Sequence, residues 1–279
     1  MLQGARNIVS GQPNRTVDGL QRTSRELRDI LEKLSTGRRV NRASDDASAL
    51  AVSEGLQSRI RGFKMASRNV NDAMSALNIA DSAASSVTSQ LQRQRELAVA
   101  ASSDTLSDQD REALNTEFQA ITEEINRTAS SANFNRQRVT DGTDLGSGDA
   151  NIQSGPDAED GYTLPPIDFA TPVQQLDNIS LASSADAQEA IEALDSVMEG
   201  VSDQTATVGA TYNNMLSNLN NLEVAMVNTV AAESIIADQD MAEGITQMVQ
   251  QTLLNEGATA AFQRFQEINR NQVLGFLQG

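Results

Sequence analysis

The chain contains no cysteine and no histidine. Without cysteine there is no disulfide, no thiolate nucleophile and no thiolate metal ligand. Without histidine there is no imidazole to act as general base or zinc ligand, so most hydrolase and zinc mechanisms lose their usual parts. Tryptophan is absent and aromatics make up 3% of 279 residues, too few for a rounded aromatic core. Such a composition suits long helices that meet through Ala, Leu, Ile, Val and Met. No apolar run approaches the roughly 20 residues of a membrane span, so membrane insertion is not expected. Met1–Asn14 shows no apolar h-region of a classical signal peptide, and composition alone points to the cytoplasm.

What is present is acidic and unevenly spread. The net charge is −17. Residues 1–140 hold 19 basic against 17 acidic side chains, whereas residues 141–279 hold 2 against 21. Residues 1–44 alone carry nine basic and four acidic groups. A basic start and an acidic remainder predict charge-complementary contacts within one chain or between copies, or simply a soluble acidic surface. The basic segment is short and lacks aromatics, so nucleic acid is not an expected partner.

Two segments repeat apolar residues every seven positions. In 45–102, Leu56, Phe63, Val70, Leu77, Ala84, Leu91 and Ala98 form one row, and Ala66, Ala73, Ala80 and Val87 a second. In 184–233, Ala187, Leu194, Val201, Val208, Met215 and Leu222 form one row, and Ile191, Met198, Thr205, Tyr212, Leu219 and Met226 the other. Sustained heptads predict helices near 85 and 75 Å long, at about 1.5 Å per residue, with coiled-coil-like seams. Ser107 and Asp110 predict a capped helix to about residue 132, returning antiparallel along the first. Residues 133–182 hold four of the five prolines and five glycines. There Asn151–Gln153 and Tyr162–Leu164 predict a small β-hairpin, with a turn at Asp141-Gly142.

The ends predict one more pair. Residues 14–36 carry Leu20, Leu27, Ile30, Leu31 and Leu34 on one side, and residues 1–13, broken by Pro13, are expected to lack order of their own. From about residue 240, Ile245, Met248, Leu254, Ala258, Ala261, Phe265 and Ile268 share one side, followed by Val273, Leu274, Phe276 and Leu277. The two helices are natural partners, yet pairing leaves apolar surface over, which points to other subunits. The predicted polymerisation face is Leu20, Leu27, Leu31, Leu34, Ile245, Leu254, Phe265, Ile268, Leu274 and Leu277. The fold class is mainly α: long helices in coiled-coil-like bundles with a small β-hairpin, in a discontinuous two-domain rod. Its terminal coiled-coil domain is 1–44 plus 235–279, and its bundle domain is 45–234 with the hairpin and loop at 133–182.

The turn between the first two helices ties these parts together. Leu34–Gly62 reads LSTGRRVNRASDDASALAVSEGLQSRIRG. Gly37 suits a left-handed helix cap. Ser44, Asp45 and Asp46 offer N-cap oxygens and negative charge to the next helix. This stretch closely resembles the amino-terminal region of bacterial flagellins. Leu91–Val99 (LQRQRELAV), Leu106–Asn135 and Gln251–Asn269 (QTLLNEGATAAFQRFQEIN) resemble the same family in order, over roughly 200 residues. Met1–Pro13 and the last nine residues depart from its usual pattern.

The resemblance implies a structural subunit, not an enzyme, that polymerises with itself into the filament used for motility, with no cofactor. It implies paired termini that line the central channel, stay disordered in the free monomer and order on assembly. It also implies export without signal cleavage and a secreted, extracellular place, which replaces the cytoplasmic expectation. Other flagellins, hook-junction and cap proteins and an export chaperone follow as partners. The family's R-x-R-E-L segment implies a subunit-stacking role for Arg93, Glu96 and Leu97, with Glu117. In some members this patch is also read by an animal innate immune receptor; this chain has Gln94 where those members typically carry Val. The alternatives are a hook–filament junction protein and a helical-rod enzyme or metal-binding module. The acidic loop groups Asp141, Asp144 and Asp149, and Asp157, Glu159 and Asp160, fit no EF-hand spacing, so no metal is expected.

Overall fold

The computed structural model describes the backbone of residues 2–277 and the side chains of residues 17–268, 270 and 271. In chain order the elements are α1 (Leu2–Thr36), α2 (Ala43–Ala101), α3 (Asp108–Ser131), β1 (Asn133–Phe134), β2 (Gln137–Arg138), β3 (Asn151–Gln153), β4 (Gly161–Thr163), α4 (Ala170–Gln174), α5 (Ser184–Ala237) and α6 (Met241–Leu277). The fold is mainly α with two small antiparallel strand pairs. Two compact units divide it: a terminal unit, Met1–Gln57 with Val230–Gly279, and a central unit, Ser58–Thr229. The predicted domain limits lie near helix ends, whereas the units divide within α2 and α5.

The central unit has a continuous core, and both heptad rows of α2 supply it. Phe63, Val70, Leu77, Ala84, Leu91 and Ala98 are buried, as are Ala66, Ala73, Ala80 and Val87. On α5 the first predicted row is buried and the second is half-buried. Alanine holds five of the ten α2 positions. The chain reverses twice along α2. Gln94 faces Phe118 and Thr122 on α3, and Arg111 donates to the Ala101 carbonyl at the end of α2. Arg95 meets Asp195 near one end of α5, and Ser184 donates to the Ser102 carbonyl. Both α3 and α5 therefore run antiparallel to α2. Arg111 is 5% exposed; its guanidinium donates to the Ala101 and Ser103 carbonyls at the C-terminal end of α2, groups that a helix leaves free there. Ser107 caps α3 by accepting from the Asp110 amide.

The stretch 133–182 is more ordered than its turn composition predicts. The β3–β4 pair falls where expected, with Ile152 opposite Tyr162. The β1–β2 pair was not predicted. Its two-residue turn, Asn135-Arg136, has positive φ at both positions (51° and 67°), the hairpin geometry normally signalled by glycine. Downstream, Ile167, Phe169, Val173, Leu176 and Leu181 are all fully buried. The segment read as a loop thus closes the core through α4 and the turns around it.

In the terminal unit α1 packs antiparallel on α6. α1 begins at Leu2 and runs through Pro13, which corrects the predicted break. A proline removes one i→i−4 donor, and the surrounding bonds carry the helix across it. Burial here is sparse. Among the described residues the buried apolar side chains of this unit are Val40 and Ala237 alone.

Leu91→Ala opens a cavity in the central core and is expected to cost about 2–5 kcal/mol in urea unfolding. Val99→Ala, at a half-exposed neighbour, should stay within about 0.5 kcal/mol. Equal effects would contradict the assignment of the α2 seam.

Candidate assembly surfaces

The turn Gly37–Asp46 buries Val40 and is otherwise held by polar contacts. Gly37 adopts φ +69°, the left-handed cap that an L side chain disfavours. Its carbonyl accepts from the Gln239 amide at 2.9 Å, and the Arg39 amide donates to Ala237 O at 2.7 Å. Residues 37–39 and 237–239 so form a short antiparallel contact inside the terminal unit. Beneath it, Glu233 Oε1 accepts from Arg38 Nη2 at 3.0 Å, Ser53 Oγ at 3.0 Å and Gln57 Nε2 at 2.8 Å. Arg42 meets both Glu32 oxygens, at 2.8 and 2.7 Å. Sequence reading missed Ser53, Gln57 and Glu233, because no local signal links positions some 180 residues apart.

The predicted cap oxygens divide the work. Asp46 stands in extended backbone (φ −164°) and accepts from the Ser48 and Ala49 amides. It is the N-cap of the long helix. Asp45 accepts from the Arg42 and Asn41 amides and closes the turn before it. Those backbone donors hold both carboxyls below their ordinary 3.8. Ser44 is exposed.

The terminal helix pair separates the predicted polymerisation face into three groups. Leu20, Leu27, Leu34 and Phe265 are half-buried. Leu31, Ile245, Leu254 and Ile268 are exposed, at 46, 49, 51 and 55%. Leu274 and Leu277 lie outside the described side chains. The side of α6 that meets α1 follows Gly244, Met248, Gln251, Asn255, Ala258, Phe262 and Phe265, a 4-3 spacing of buried and half-buried residues. The predicted apolar series for α6 is therefore corrected: Ile245, Leu254, Ala261 and Ile268 lie off this seam. A search for apolar periodicity passes over glycine, glutamine and asparagine, which hold three of the seam positions.

In the central unit Arg93 Nη2 pairs with Glu117 at 2.8 Å and Nη1 with Glu96 at 3.0 Å. Arg95 pairs with Asp195 at 2.7 Å, a partner that sequence reading did not find. All five are exposed. Glu117 and Glu96 hold the Arg93 guanidinium above its ordinary value, Asp195 does the same for Arg95, and Arg95 holds the Asp195 carboxyl down. Leu97 does not share this face. It is 3% exposed and belongs to the core, because it follows Glu96 by one residue and so points about 100° around the helix from it, toward the bundle. Gln94 is fully buried; its amide nitrogen donates to Phe118 O and Thr122 Oγ1, and its Oε1 has no hydrogen-bond partner among the described residues.

A polar turn, a thinly packed terminal helix pair and apolar side chains left on its surface define a helical protein made to associate with other chains. The family model described as the bacterial flagellin N-terminal helical region matches residues 11–144, and that of the C-terminal helical region matches residues 191–277. The chain belongs to the flagellin family: it is a structural subunit of the bacterial flagellar filament that assembles with copies of itself, and not an enzyme. It is 39% identical to a flagellin of Halalkalibacterium halodurans, over 82% of this chain and 84% of that one. It is 34% identical to a flagellar filament 31.3 kDa core protein of Treponema maltophilum, over 89% and 91%. The crystal structure of Bacillus cereus flagellin aligns with a TM-score of 0.50 at 33% identity, over 56% of this chain and 88% of that one. A Vibrio parahaemolyticus protein described as flagellar hook-associated aligns with a TM-score of 0.55 at 14% identity, over 69% and 99%, a likeness of fold alone. The enzyme or metal-module alternative falls with family membership. Among the acidic loop residues, Asp141 is engaged by Arg138 and Thr143.

The lowered carboxyls of Asp45 and Asp46 set a pH dependence. Their contribution is fully present above the unfolded value near 3.8 and is lost as pH falls through the lower folded values. Melting of the parent should therefore drop steeply below about pH 4, whereas Asp46→Asn, a neutral residue that still caps, should show a shallower fall. Parallel profiles would remove Asp46 from that role.

Proposed function

We propose that residues 1–44 with 235–279, which make up most of the terminal unit, form the polymerisation element, the inner, channel-lining part of the filament. One observation carries this reading. The described side chains of residues 1–44 and 235–279 include eight large apolar ones that are exposed, among them Ile235 at 83% and Leu253 at 64%, against one that is buried, Val40. A helix pair with so little burial gains stability chiefly by covering that surface with neighbouring subunits. Each such side chain is worth roughly 1.5–3 kcal/mol when fully covered. Leu31, Ile245, Leu254 and Ile268 supply the intersubunit contact, Leu20, Leu27, Leu34 and Phe265 hold the pair, and Leu274 and Leu277 extend the same apolar character.

The exposed Arg93–Glu96–Glu117 cluster serves subunit stacking, with Leu97 supporting the helix from within. Family membership supports a secreted, extracellular filament, with other flagellins, hook-junction and cap proteins and an export chaperone as further partners. It also supports the filament subunit over the hook–filament junction protein.

Negative-stain electron microscopy at graded concentration tests the proposal. The full chain should form long filaments after seeding, and a truncation lacking 241–279 none. Ile245→Asp with Leu254→Asp removes two half-exposed contacts and should raise the critical concentration roughly thirtyfold or more, with helix content unchanged. Glu117→Arg should leave thermal unfolding nearly unmoved, since an exposed ion pair adds little to folding, while weakening assembly. Unchanged critical concentrations in both would refute the assigned surfaces.

A further inference from the structure

We infer that Gly244, Gln251 and Asn255 decide which face of α6 meets α1, and at which register. Hydrophobic matching leaves that choice open. Large apolar residues surround α6: Ile245, Val249 and Leu253 lie to one side of the observed seam, Leu254 and Ile268 to another, and each is about half-exposed or more. A helix with this surface buries similar apolar area in several rotations. It does the same after a slide of one heptad, about 10 Å along the axis.

The polar seam discriminates among these placements. Gln251 is 9% exposed and donates to Glu26 Oε2 at 2.5 Å, with a longer approach to Thr23 O at 3.5 Å. Asn255, one turn on, donates to Ser24 Oγ at 2.9 Å and to Thr23 Oγ1 at 3.4 Å. Two turns before Gln251, Gly244 receives Leu34: a Cβ there would lie 2.7 Å from Leu34 Cδ2. The three positions, 244, 251 and 255, share the side of α6 that follows heptad spacing. A heptad slide puts Ala258 where Gln251 meets Glu26 and replaces the Gly244 socket with a side chain. A rotation buries apolar surface equally well but turns Gln251 to water and forfeits its bond to Glu26. The heptad slide instead carries the Gln251 amide to the Gly244 position against Leu34, and an unpaired buried amide costs more than its bond contributes. Wrong placements are thereby penalised without any change in apolar burial, as a single polar residue does in a coiled-coil seam.

The inference rests on the assembly proposal only for the state in which it is measured. The chain has no cysteine, so Arg28→Cys with Glu256→Cys places two spin labels at exposed positions of α1 and α6. Interspin distances are read in filaments of labelled chain diluted with unlabelled chain. The parent should give one narrow distance. Gln251→Leu with Asn255→Leu should keep the helix content but give a broad or double distribution, including a component displaced by about 10 Å. Glu26→Gln, which keeps an acceptor, should retain the single distance, and Gly244→Ala should shift or broaden it. A narrow parental distance in the double leucine variant would overturn the inference. So would a fall in its helix content, which would show the bonds to be needed for pairing itself, or a broad distribution in the parent. Should the parent form no filaments, the assembly proposal falls, and the same distances in the soluble full chain judge the register.

Discussion

One carboxylate oxygen, Glu233 Oε1, gathers Arg38, Ser53 and Gln57, and the course of the chain through the terminal unit depends on it. Glu233 lies near the end of α5, Arg38 in the turn after α1, and Ser53 and Gln57 on α2. Among the described residues, Val40 and Ala237 are the buried apolar side chains of the terminal unit. A shared acceptor with three donors fixes direction as well as distance, which apolar contact does not. The Glu233 side chain is 15% exposed, so the bonds form where water competes only in part.

The two units use different means of staying ordered. The central unit resembles an ordinary bundle: an alanine-lined seam on α2, leucine and phenylalanine opposite, and a folded loop sealing one region with Ile167 and Phe169. The terminal unit has almost no interior. Its helices hold each other through half-buried leucines and a few amides, and their remaining apolar surface faces outward. Such a unit suits a subunit whose environment after assembly differs from its environment before.

Much of this was legible in the sequence where one physical signal dominated. Heptad spacing in 45–102 and 184–233 located the core rows almost residue by residue, because each row needs only a local repeat. The caps at Gly37 and Ser107 were equally plain, since their residue types match their backbone roles, while Ser44, Asp45 and Asp46 were offered together and the backbone selects Asp46. Signals that compete or act at long range were harder to see. The Asn135-Arg136 hairpin lacks glycine. The buried run from Ile167 to Leu181 is hidden among prolines and turns. On α6 the apolar residues lie on nearly every side, so the periodic series mixes seam positions (Met248, Ala258 and Phe265) with exposed ones (Ile245, Leu254 and Ile268), and the Gly244–Gln251–Asn255 seam emerged only with α1 in place. Leu97 was assigned outward with Arg93 and Glu96, although one residue of offset on a helix turns a side chain by about 100°.

The run Arg93-Gln94-Arg95-Glu96-Leu97 faces two ways. Arg93, Arg95 and Glu96 reach solvent, while Gln94 and Leu97 are enclosed by α3 and the bundle. Charge on the outer three can drift, or be reversed, with little consequence for folding. Volume and polarity at the inner two can drift with little change in what a neighbouring molecule meets. Two kinds of selection, on recognition and on persistence of the fold, therefore act on one short stretch through separate letters, and a lineage can alter its exterior there without renegotiating its interior.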